Sequence, residues 1–175
     1  NLAKALLLAL NEGRCENTGT VMVEGIKPLQ SDVLDYNEVM ENYKKVLHEV
    51  ARVYNETMNI IHYMHDKYDY EKSQMAFIDT NPSINLAYGV AGLSIVADSL
   101  SAIKHAKVTA RRNAEGLTEG FDIEGEFPMF GNDDDKVDVL AREIVQFFDT
   151  ELRSRKVYKD AEPTLSLLTI TSYGM

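Results

Sequence analysis

The stretch Ile84–Val108, INLAYGVAGLSIVADSLSAIKHAKV, most constrains what this chain can fold into. From Ile84 through Ala97 it carries no charge, and Asp98 is the first. Small residues (Ala87, Gly89, Ala91, Gly92, Ser94, Ala97) are mixed with large aliphatic ones (Leu86, Val90, Leu93, Ile95, Val96). Apolar positions 86, 90, 93, 97, 100 and 103 step by three and four, the spacing of a helix. A helix apolar on nearly every side belongs in an interior. The apolar part is shorter than the ~20 residues that cross a bilayer. The expectation is one buried central helix, capped by Ser83 or Asn81.

A chain of 175 residues is long enough for a core of its own. With 45% hydrophobic and 26% charged residues it falls in the soluble globular class. A net charge of −10 and a pI near 4.8 argue against nucleic acid and against an anionic membrane surface as partners. No signal peptide or spanning segment is read in the chain. Cys15 stands alone, so there is no disulfide framework, and a reducing cytoplasm is the expected compartment. The chain begins at Asn1 without an initiating Met, which suits an internal piece of a longer polypeptide.

Around the central stretch the periodicities are clear. Asn1–Asn11 is a short apolar helix stopped by Glu12 and Gly13. Thr20–Val23 reads as a short strand. From Ser31 or Asp32 an amphipathic helix of about 30 residues, about 45 Å long, extends toward Tyr68. Val39, Tyr43, Val46, Val50, Tyr54, Ile61, Met64 and Tyr68 form its apolar stripe, widened by Leu47 and Met58. Coiled-coil pairing is an alternative use of that stripe, but its heptads are irregular and tyrosine-rich. Tyr70–Ile78 reads as a further short helix. Lys107–Arg112 and Leu117–Phe127 read as a β-hairpin, with Phe121, Ile123 and Phe127 alternating toward a buried face and Gly120 and Gly125 at bulges or close approaches. A helix over about Asp135–Arg155 turns Val137, Leu140, Ile144, Phe147, Phe148 and Leu152 inward. Thr164–Thr171 reads as a buried strand.

Little in the chain carries chemistry by itself. His62 and His65 are three apart, but a zinc site needs three or four ligands and no second pair completes them; His48 and His105 have no motif context. The run Asn132-Asp133-Asp134-Asp135 lacks the ligand order of a calcium loop, and Asn132 or Asp133 as a helix cap explains it better. No nucleophile elbow, phosphate loop, dinucleotide fingerprint or zinc signature occurs.

GVAGLSIVADSLSAIKHAKV closely resembles a segment of the glycyl radical enzymes, and among them the pyruvate formate-lyases (formate acetyltransferases). The likeness continues through NIIHYMHDKYDYE before it and through FDIEGEFPMFGNDDDKVD, YKDAEPTLSLLTITS and SYG after it, in the family's order over most of the chain. It implies an α/β fold: a mostly helical segment of a large barrel of strands wrapped by helices, with the hairpin at about 107–127 and the closing strand at about 164–171. Residues 1–175 would form a single segment of a larger catalytic domain.

The resemblance also implies an activity, conversion of pyruvate and coenzyme A to acetyl-CoA and formate through a glycyl radical and a cysteine thiyl. It implies a radical-SAM activating enzyme and a homodimer as partners. It places the family's cysteine pair and substrate-gripping arginine before Asn1, and the radical glycine, in an RVxGY context, beyond Met175. Cys15 and Gly174 match neither motif, so no catalytic, cofactor-binding or metal-binding residue is assigned in this chain. The family reads roughly TITSN-x-x-YG where this chain passes from Ser172 straight to Tyr173-Gly174. Alternatives are another glycyl radical enzyme, such as a 2-ketobutyrate formate-lyase or a diol dehydratase, and a non-catalytic helical interaction module.

Overall fold

The computed structural model describes residues 1–68 and 83–168. The expected helix at Tyr70–Ile78, the end of the closing strand and the Ser172–Tyr173 junction lie outside the described residues. In chain order the elements are α1 (Leu2–Leu10), α2 (Tyr36–Lys67), β1 (Asn85–Ala91), α3 (Leu93–His105), β2 (Lys107–Arg112), β3 (Thr118–Glu124), α4 (Asp135–Arg153), a 3-10 turn (Tyr158–Asp160) and β4 (Glu162–Leu168).

The central stretch is not one helix. Its first half is β1, Gly92 turns the chain, and only its second half, α3, is helical. Leu86, Tyr88 and Val90 are buried while Asn85 and Ala87 are exposed, so the period is two rather than 3.6. Short apolar runs are ambiguous between the two states. Tyr88 and Val90 favour the strand, and Gly89 and Gly92 weaken a helix. Gly92 has φ +85°, a left-handed conformation that L side chains resist, and it stands where Ser83 or Asn81 was expected to cap.

The long helix is present, but it begins at Tyr36 and not at Ser31 or Asp32. Asp35 caps α2, its carboxylate accepting from the Asn37 and Glu38 amides at 2.9 and 3.0 Å. Val39, Tyr43, Val46, Leu47 and Ala51 are fully buried against α1 and α4. Each such aliphatic side chain contributes about 1.5–3 kcal/mol. Beyond Asn55 the stripe emerges: Ile61, Met64 and Tyr68 are exposed. Burial of the first five turns inside this chain leaves them unavailable for a coiled coil.

Between α1 and α2 the chain is held by backbone contacts. Gly13, at φ +77°, donates to Leu8 O at 2.7 Å and accepts from the Met22 and Val23 amides. The strand expected at Thr20–Val23 reduces to a single bridge, Arg14 to Val21, because the loop doubles back at once through Cys15 N donating to Thr20 O.

Strands β2 and β3 form the expected antiparallel hairpin, with a register break opposite Arg111 and Arg112 that leaves Glu119 unpaired. Its apolar face is only half covered: Val108 and Ala110 on β2 are buried, while Ile123 and Phe121 opposite them on β3 are not. Phe121 and Ile123 are 38% and 49% exposed and, with Leu6, Leu7, Ile95 and Ile103, line an apolar groove of about 270 Å³. The cap of α4 is Asp134, one or two residues later than expected, accepting from Lys136 N at 2.9 Å; Asp133 instead takes a left-handed φ of +55°. All the inward residues read for α4 are buried except Phe147, which is partly covered. Strand β4 begins two residues earlier than expected and pairs in parallel with β1, Asn85 opposite Glu162 through Ala91 opposite Leu168. It is only partly covered: Leu165 packs on the core while Leu167 is 48% exposed.

Candidate functional site

The parallel pair β1–β4 has two unlike faces. Leu86, Tyr88 and Val90, with Leu165 of β4, face the helices. The other face presents Asn85, Ala87, Gly89 and Ala91, paired with Glu162, Thr164 and Ser166, and is partly or fully exposed. Parallel sheets are normally covered on both faces. In the middle of that face the side chains of Ala87, Gly89, Thr164 and Ser166 are small, which leaves room for another layer to approach the backbone closely.

α2 holds this pair through a ladder of polar side chains. Asn55, buried, donates to the Tyr88 hydroxyl at 3.1 Å, and Asn59 donates to Asn55 Oδ1 at 2.9 Å. Asn59 also donates to Lys156 O and accepts from Tyr158 N, which fixes the turn leading into β4. The Tyr54 hydroxyl accepts from Gly89 N at 3.1 Å, and its ring meets that of Tyr88 edge-on at 5.0 Å between centroids. Burial raises the Tyr88 pKa, helped by the neighbouring Tyr54 and opposed by the Asn55 hydrogen bond. The Tyr43 hydroxyl donates to Leu2 O at 3.2 Å, and burial pushes its pKa up strongly.

Three chain segments meet at the carboxyl ends of the strands. Asn1, leading into α1, donates from its carboxamide to Gly89 O at 3.0 Å and accepts from Ala91 N at 2.9 Å. A Cβ on Gly92 would lie 3.5 Å from that of Ala3, so α1 and α3 start side by side. In α/β enzymes ligands bind at this end of parallel strands, where helix N-termini gather.

The residues weighed from sequence lie elsewhere. The rings of His62 and His65 lie 6.2 Å apart between centroids, tilted by 59°, and among the described residues no cluster of three metal-ligating side chains forms around them. His48 pairs with Glu151 at 2.7 Å beside Arg155. Asp98 accepts from Phe130 N at 2.6 Å, so it fastens the loop before the acidic run. Cys15 is partly buried next to Lys4, which donates to its sulfur at 3.5 Å and pairs with Glu16. Its thiol is lowered to about 7, chiefly by the Thr18 hydroxyl and then by the Asn17 and Thr18 amides. It lies in the α1–α2 loop, away from the strand rim. Among the described residues no helix is long and apolar enough to cross a membrane.

Sequence reading missed Asn1, Tyr54, Asn55, Asn59 and Tyr88. A signal for two of them was there: Asn55 and Asn59, four apart, lie beside the apolar stripe of α2.

Parallel strands with helices on one face, an open face opposite, and helix starts gathered at the carboxyl rim define an α/β layer. Known proteins give this class its family. The sequence model of the family described as pyruvate formate lyase-like matches residues 1–175, and the chain belongs to that family. Solved structures agree in fold. The glycerol-bound, B12-independent glycerol dehydratase of Clostridium butyricum superposes with a TM-score of 0.69 at 17% identity, over 94% of this chain. A glycyl radical enzyme of Archaeoglobus fulgidus gives 0.72 at 16% over 95%. A structure of 1,2-propanediol dehydration in Roseburia inulinivorans gives 0.75 at 20% over 98%. This chain spans about a quarter of the length of these structures, 24%, 24% and 25%. The expected fold, a mostly helical segment of a glycyl radical enzyme barrel, is thus the one observed.

Proposed function

We propose that the full-length protein containing this chain is a formate C-acetyltransferase, converting pyruvate and coenzyme A to acetyl-CoA and formate. The observation that carries the reading is the family match over the whole chain, taken with stretches such as GVAGLSIVADSLSAIKHAKV that resemble the pyruvate formate-lyases. The dehydratase structures are too distant, at 17–20% identity, to transfer their substrates.

On this reading the cysteine pair and radical glycine lie outside residues 1–175 and supply the hydrogen-atom chemistry. The work of this chain is structural. A two-electron split between two carbonyl carbons would leave a poorly stabilised acyl anion; a radical route avoids it but needs a dry pocket. The helices behind β1 and β4 exclude water, and the Ala87, Gly89, Ala91, Thr164 and Ser166 face leaves space inside. A radical-SAM activating enzyme, a homodimer and a cytoplasmic setting complete the proposal.

The test is turnover by the activated full-length protein. Formate and acetyl-CoA formed from pyruvate and coenzyme A support the reading. Preference for 2-ketobutyrate would shift it to a sister formate-lyase. Dehydration of glycerol or 1,2-propanediol, with pyruvate untouched, would replace it.

A further inference from the structure

The carboxamide of Asn1 is committed in an unusual way. Asparagine is a preferred helix cap, yet at the head of α1 its side chain makes no hydrogen bond to its own helix. It reaches residues 88 and 90 positions away instead, donating to Gly89 O and accepting from Ala91 N. Those two groups flank Val90 and point to the edge of β1 away from β4, since Ile84 O and Leu86 O point toward β4. On that same edge Gly89 N is taken by Tyr54. Asn1 therefore acts as one more rung of the ladder, and it closes the last stretch of the strand edge.

From this geometry we infer that Asn1 is a positioning residue, tying the polypeptide that leads into α1 to the carboxyl rim of the β1–β4 pair. A backbone hydrogen bond alone would leave that approach free to swing; two opposed bonds from one planar amide fix both its distance and its rotation. Reacting groups carried on the approach would be held over the bare strand face in one geometry. This last step rests on the proposed function, which places the cysteine pair just before Asn1.

The test uses the full-length activated protein with Asn1→Ala and Asn1→Asp. Asn1→Ala removes both bonds. Asn1→Asp keeps an acceptor for Ala91 N but loses the donor to Gly89 O. Hydrogen exchange at the Ala91 amide reads the clamp without any turnover: roughly tenfold faster in Asn1→Ala, as expected for one lost hydrogen bond, and near wild type in Asn1→Asp. Positioning is read from kinetics: kcat falls on the order of 100-fold in both variants, as for a misplaced reacting group. KM stays within about twofold and the glycyl radical signal per folded protein is unchanged. Unaltered Ala91 exchange in Asn1→Ala overturns the clamp. Faster exchange with normal kcat overturns the positioning role and leaves a merely structural contact. If wild type ignores pyruvate but dehydrates glycerol or 1,2-propanediol, the acetyltransferase reading fails by itself, and the same kcat comparison is made on the diol.

Discussion

Replacing Tyr88 by Phe tests whether the polar ladder on α2, rather than packing alone, holds the strand pair in place. The ring of Tyr88 is fully buried and stays so in phenylalanine, so its packing against Tyr54 survives. What goes is the hydroxyl that accepts from Asn55, itself 3% exposed. A buried amide donor left without its partner costs about 1–3 kcal/mol. Strand β1 should then open more readily, and the Leu86–Val90 amides should exchange about 5- to 150-fold faster in the full-length protein. Adding Asn55→Leu removes the stranded donor. Asn59 loses its bond to Asn55 but keeps Lys156 O, so the double variant should recover most of the loss. The coupling energy from this cycle should be about 1 kcal/mol or more. Additive effects, with the double variant no more protected than the single ones predict, would refute the argument that this hydrogen bond links helix to sheet.

Other outcomes follow from local geometry. Gly13→Ala places a Cβ into the Val23 carbonyl and forces a left-handed alanine, costing at least ~2 kcal/mol, read as faster exchange at Met22 and Val23. Gly25→Ala, also at positive φ but in open space, should cost only about 1 kcal/mol, and equal costs at both sites would remove the close-approach argument. Cys15 should alkylate with a rate midpoint near pH 7, because hydrogen bonds favour its thiolate; Thr18→Ala should move that midpoint upward, and an unmoved midpoint would exclude the hydroxyl as cause. The isolated chain of residues 1–175 should aggregate and show no lyase activity, since Ile95, Phe121 and Ile123 are exposed together; a soluble monomer with a cooperative melt would contradict this.

The sequence showed most of the outer helices and the hairpin because their periodicities are unambiguous. In α2 the stripe from Val39 to Tyr54 repeats long enough to outweigh any local exception, and the hairpin is announced by Phe121 and Ile123 alternating with acids. The central stretch defeated the same method. Leu86, Val90 and Leu93 fit a helix by spacing, while Leu86, Tyr88 and Val90 fit a strand equally well, and the tertiary partner β4 decides between them. Exposure of the Phe121 face could not be foreseen, since alternation says which residues share a face and not whether anything covers it. The candidate rim was illegible for a different reason: Asn1 meets Gly89 only once the chain has folded back over 88 positions, and no local pattern marks such a contact.

The pairing of β1 with β4 sets an order of assembly. Leu86 and Thr164 are 78 positions apart, with α3, the hairpin and α4 between them, so during synthesis β1 waits for its partner. Unpaired strand edges invite aggregation. The end of the other edge of β1, at Gly89 and Ala91, has its partners ready in the meantime, because Asn1 and Tyr54 precede β1 in the chain. The nascent chain thus meets its long wait with the carboxyl end of β1 already fastened on one side, and with the flank that β4 later covers still open.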